Sequence, residues 1–351
     1  MGKPGYLRFL YNHNPFYLIS ACCILYGLHS TLAQNSEHEN LWLLSSILAG
    51  YCVVMALTSI LIVKIGQVWD DARSIFMVLL LIFFSISISF DRLFVTDPQI
   101  AASMLLGGLV FCSLIAELIL RLLKIKFPAV FRLPFYLILL LIFAYPILFT
   151  LKQQWYPAVS NHWLTLAFPT IAGLAILTLI PAAKSGRRCV AKNGTPWNWP
   201  LYPWSVFFML IIGLSLRTAV LCIAFEPKLG FDSSFGTYHL IPIFLSICVL
   251  VLESSIAENN KMLKRLALWL PLLSIPMAFH WHSNPVYDAC VGELELLAGS
   301  PIWITSVLLM AYYTIAWIRS VDSEGVFATF ACCVATMFSN GINETLSLIH
   351  I

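Results

Sequence analysis

The chain has 351 residues, 60% of them hydrophobic and only 11% charged, with a mean hydropathy of +0.86. A soluble domain carries about 25% charged residues, so a water-soluble fold is excluded and an all-α polytopic integral membrane protein is implied. The formal charge of +3 is spread over short loops, which argues against a nucleic-acid surface.

A helix needs about 20 apolar residues to cross the hydrocarbon core. Eleven segments are read as spans, with approximate limits 16–33, 41–63, 74–90, 99–120, 133–150, 163–181, 203–225, 238–256, 266–282, 301–318 and 325–340. The first follows Lys3 and Arg8 and runs into "STLAQ", where Thr31 and Ala33 loosely fit a cleavage pattern. It is read as a retained helix, with His29 in its outer half. The third span ends in "SFDR", which puts Asp91 and Arg92 at its outer end. In the fourth, Glu117 stands four residues before Arg121, on one helix face, and a local ion pair accounts for it.

A basic loop, 182–202, carries the turn signals "NG" and "TP". It divides a bundle of about six spans (1–181) from one of about five (203–351). The seventh span holds Arg217 in "GLSLRTAVL", fourteen residues in and so about 21 Å from its inner end. An ionisable residue at that depth is costly and is a functional candidate by default; the alternative is snorkelling to the headgroups. Glu253, near the inner end of the eighth span, is read as a partner of Lys261 or Lys264.

The ninth span closes in "AFHWHSNP". His280 and His282 are two residues apart, and on a helix they do not face one another. There is no HExxH and no cysteine cluster, so no metal site is expected. A metal would need His29, Asp288, Glu293 or Glu295 brought in by folding. No motif indicates a cofactor. Most of the ten cysteines lie in apolar segments and read as small hydrophobes, not as a disulfide framework. Beyond His282, "VGELELLAG" is read as a short amphipathic helix on the outer face.

Lysine and arginine set the orientation. With the N-terminus in the cytoplasm, sixteen fall inside (Lys3, Arg8, Lys64, Arg73, Arg121, Lys124, Lys126, Arg132, Lys184, Arg187, Arg188, Lys192, Lys261, Lys264, Arg265, Arg319) and three outside (Arg92, Lys152, Lys228). This reading puts the C-terminus outside and the chain in a prokaryotic inner (plasma) membrane. "NPFYLISACCILYGL" at Asn14 and "YPWSVFFMLIIGLSL" at Tyr202 resemble each other, and each precedes a similar run of landmarks. A duplication would make two parallel halves, as in some transporters.

The expected function is a transporter or permease for a small anionic solute. Its polar-cluster candidates are His29, Asp91, Arg92, Arg217, His280 and His282, all near the outer ends of spans. One alternative is a membrane-embedded enzyme acting on a lipid-linked or outer-face substrate, with His280 or His282 as general base. Another is a structural or sensory subunit with membrane-protein partners. Beyond the lipid bilayer, no partner is written in the sequence.

Overall fold

The structure, a computed structural model, describes residues 38–91, 93–156, 160–190, 193–197, 199–225, 234–279, 285–319, 330 and 333. All regular structure among the described residues is helical: α1 (His38–Gly66), α2 (Trp69–Ser89), α3 (Leu93–Thr96), α4 (Pro98–Leu122), α5 (Ala129–Ala144), α6 (Ile147–Trp155), α7 (His162–Leu177), α8 (Ile180–Ser185), α9 (Leu201–Ala224), α10 (Ile241–Glu258), α11 (Lys261–Trp269), α12 (Ser274–Met277), α13 (Pro285–Ala298) and α14 (Pro301–Ile318).

Among these residues seven helical stretches, not eleven, are long and apolar enough to cross a membrane. They are Leu43–Gly66, Trp69–Ser89, Pro98–Leu122, His162–Ser185, Tyr202–Ala224, Thr237–Glu258 and Pro301–Ile318. The expectations at 16–33 and 325–340 lie outside the described residues, apart from positions 330 and 333. The other two, 133–150 and 266–282, are broken by proline.

Pro146 ends the first of these. It has no N–H to give to the carbonyl of Ile142 four residues earlier, and the chain divides into α5 and α6. The orphaned Ile142 carbonyl instead accepts the Ser87 hydroxyl of α2 at 2.8 Å. Pro271 does the same to the second. Its missing N–H frees the Ala267 carbonyl, which accepts the Tyr312 hydroxyl of α14 at 2.8 Å. The neighbouring Leu268 carbonyl accepts from Tyr313, also at 2.8 Å. A 3-10 turn (Leu270–Leu273) and the four-residue α12 follow. An apolar stretch thus becomes a chain of short pieces whose carbonyls are satisfied by a neighbouring helix, as burial in a bilayer demands.

The helices themselves follow bilayer logic. α1 is apolar on every side. Val54, Leu57, Leu61 and Ile65 are more than half exposed, while Leu44, Leu48, Cys52 and Ala56 are buried. Such a helix has lipid on one face and protein on the other. It hands over to α2 at Gln67, whose φ is +55° and whose N–H donates back to Val63 O at 3.2 Å, a left-handed helix stop.

The described residues cluster into two compact units. One lies within Met1–Pro157 and Arg187–Arg217, the other within Ala158–Gly186 and Thr218–Ile351. The first holds α1 to α6 and α9 through Arg217. Asn193 folds part of its basic loop into a turn: its side-chain oxygen accepts from Thr195 N at 2.7 Å, and its own carbonyl accepts from Lys126 N at 2.8 Å.

The second unit is built on the packing of α7 against α10. Gly173 makes their close approach possible: a Cβ there would lie 2.8 Å from the Pro242 carbonyl oxygen and 2.8 Å from Ser246 Oγ. Small residues serve this role in membrane helices. Gly173→Val must force the two helices apart. The expected loss is about 1–3 kcal/mol of stability, read as a lower thermal midpoint of the detergent-solubilised protein. An unchanged midpoint would mean that this contact does not organise the unit.

Candidate functional site

The first unit buries an ion pair. α2 ends at Ser89, and Asp91 sits in the turn that follows, its N–H donating to Ile88 O at 3.0 Å. The next turn, α3, is closed by Asp97, which also caps α4: its carboxylate accepts from Ile100 N at 3.2 Å, with Pro98 in the first helical turn. Asp91 is therefore held on a short, well-anchored connection between two long helices. Arg217 reaches it from α9. Its Nη2 donates to Asp91 Oδ1 at 2.8 Å, and its Nη1 donates to Asp91 Oδ2.

The fork is bidentate, the geometry in which arginine binds a carboxylate best. Arg217 is 0% exposed and Asp91 3%. Arg217 Nε is buried and has no hydrogen-bond partner among the described residues. Burial pushes the Asp91 carboxyl up from its ordinary range, and the Arg217 charge and hydrogen bonds oppose that push. Two charges this fully removed from solvent cost several kcal/mol each before their attraction is counted. Snorkelling does not describe Arg217: its guanidinium points into the protein.

Of the other cluster candidates, His29, Arg92, His280 and His282 lie outside the described residues. Glu117 and Glu253 sit in separate networks. Glu117 lies 3.4 Å from Arg121 and also receives Arg132 Nε of α5 at 3.0 Å and the Tyr136 hydroxyl at 2.5 Å. Glu253 of α10 accepts from Arg319 Nη2 at 2.6 Å and lies 3.9 Å from Lys184 of α8. Sequence proximity pointed to Lys261 or Lys264; the fold brings in cations from helices remote in sequence. Both networks tie helix ends together in partly solvated places.

Two further places bring in Ser160, His162 and His239, which belong to no sequence motif, the first of them around Glu293. At the start of α7, Ser160 Oγ donates to Glu293 Oε2 of α13 at 2.5 Å, and His162 Nδ1 lies 3.3 Å from the same oxygen. Ser160 bonds the carboxylate and not the imidazole, so the three do not form a nucleophile–base relay. The second is His239, 1% exposed, which opens the Thr237–Glu258 span. Both histidines open an apolar run in the sequence ("NHWLTLAF", "TYHLIPIF"), and that was the available signal. Among the described residues no group of three or more His, Cys, Asp and Glu side chains is placed to hold a metal ion.

No family model, curated protein or solved structure matches the chain. The protein is a polytopic membrane protein, and its function has to be read from its own residues.

Proposed function

We propose that the protein is a permease for a small anionic solute, and that Asp91 and Arg217 form its proton-sensitive anion site. One observation carries this reading: a fully buried, bidentate carboxylate–guanidinium pair. Asp91 occupies on Arg217 the place that a solute carboxylate or phosphate would take. Protonating Asp91 removes its negative charge and frees the guanidinium. An incoming anion then restores the neutralisation. One proton and one anion are taken up per cycle, so the loaded site, like the empty one, carries no net charge. That satisfies the main electrostatic constraint on a desolvated site. The orientation inferred from the basic loops places this end of α2 on the outer side.

The test uses proteoliposomes with an inward proton gradient and a panel of labelled hydroxy acids, dicarboxylates, amino acids and inorganic phosphate. At least one anion is expected to accumulate, and collapsing the gradient should abolish the accumulation. In Asp91→Asn, uptake should no longer respond to the gradient, because the group that takes the proton is gone. Accumulation that follows the gradient equally well in a folded Asp91→Asn protein would rule out the role given to Asp91. The enzyme reading rests on His280 and His282, which lie outside the described residues.

A further inference from the structure

α13 is fastened unevenly along its length. Its first half is packed into the second unit, with Val286, Tyr287, Cys290 and Val291 buried. The Tyr287 ring meets Tyr238 edge-on, 5.8 Å between centroids, and lies so close to Gly236 that a Cβ there would overlap it. The Tyr238 hydroxyl and Cys290 Sγ are 3.5 Å apart. Beyond Gly292 the packing thins. Glu295, Leu296 and Ala298 are exposed, and Leu294 is only partly buried. Glu293 gives this half its polar hold. Its Oε2 accepts the Ser160 hydroxyl at 2.5 Å and lies 3.3 Å from His162 Nδ1.

The two partners of Glu293 differ in one respect. A serine hydroxyl donates at any ordinary pH. An imidazole gains a positive charge as the pH falls from about 8 to about 5. His162 is 9% exposed, so solvent screens such a charge only weakly, and the carboxylate is at contact distance.

We propose that His162 and Glu293 form a proton-operated clasp that tightens the second half of α13 in acid. Protonated His162 adds an ion pair to the Ser160 hydrogen bond, and neutral His162 leaves that hydrogen bond to hold Glu293. The contribution is present below the titration of the imidazole and is lost as the pH rises through it. The other titratable groups nearby do not produce this pattern. His239 faces His162 from the turn Thr237–Leu240, and its Nδ1 is engaged by Gly236. Tyr238, Tyr287 and Cys290 are of types that ordinarily stay neutral in this range. Asp288 and Glu295, the other acids of α13, are exposed. Protonation of Glu293 itself has the opposite sign, because acid then loosens the helix. The orientation inferred from the basic loops puts α13 on the outer face, so the clasp responds to external pH. It does not rest on the Asp91–Arg217 pair, which belongs to the other unit.

The test is hydrogen exchange of the purified full-length protein in detergent at about pH 5.5 and about pH 8, on either side of an ordinary imidazole titration. Each rate is divided by that of the unstructured peptide at the same pH. Amides of residues 292–298 should be about three- to fivefold better protected at the lower pH, the scale of an ion pair with one partly solvated partner. Amides of residues 286–291 should not change. Glu293→Gln keeps an acceptor for Ser160 and removes the charge, so the pH difference should vanish. Ser160→Ala should lower protection at both pH values and leave the difference in place, which keeps the test decisive if Glu293→Gln does not fold. Equal protection at the two pH values, or better protection at the higher one, would overturn the proposal. So would a pH difference that persists in Glu293→Gln, which would assign it to His239.

Discussion

Arg217→Ala is expected to destabilise the protein by about 3–5 kcal/mol, because it strands Asp91 as a buried charge without its partner. Asp91→Leu should cost a similar amount by stranding the guanidinium, for which 0% exposure leaves no solvent. The double variant Asp91→Leu, Arg217→Met should recover most of the loss. An apolar pair of similar volume avoids the desolvation of both charges, and such replacements are often neutral or stabilising. Unfolding titrations of the solubilised protein measure all three. If the single variants each lose less than about 1 kcal/mol, the range of a solvated surface pair, the pair is not buried as described. If the double variant is as unstable as the singles, the pair has a structural worth beyond its own two charges.

Tyr312→Phe should carry the next largest effect, about 1–3 kcal/mol. Its hydroxyl is the partner of the Ala267 carbonyl that Pro271 leaves free, and it also lies 3.3 Å from the Cys248 carbonyl. The ring would still fit, so the loss isolates the hydrogen bonds. The same substitution at Tyr136 is no substitute for this test, since Glu117 retains its arginines. A thermal midpoint for Tyr312→Phe equal to that of the unchanged protein would mean that water or another group satisfies these carbonyls.

These two sites show what was readable in the sequence. The membrane class followed from composition alone, because no other environment accommodates so much apolar surface. The span count did not follow, because a hydropathy threshold weighs side chains and ignores backbone hydrogen bonds. Pro146 and Pro271 were plain in the sequence. Their consequence depends on acceptors being satisfied by Ser87 and Tyr312, which lie on other helices and cannot be located without the fold. Asp91 and Arg217 both stood out as charges in apolar surroundings. That they meet is a long-range fact, across 126 positions of sequence. His239 passed unnoticed because a lone histidine in an apolar run looks the same whether both ring nitrogens are paired or one is not. Only the fold shows that Gly236 takes Nδ1 and that Nε2 has no partner among the described residues.

The claim that Asp91 and Arg217 do more than clasp helices is tested most directly by solute uptake in the folded double variant Asp91→Leu, Arg217→Met. That protein keeps the packing and loses both charges. The account predicts normal abundance and thermal stability in proteoliposomes, with no anion accumulation under an inward proton gradient. Uptake at the unchanged protein's rate would contradict it and reduce the pair to a structural clasp.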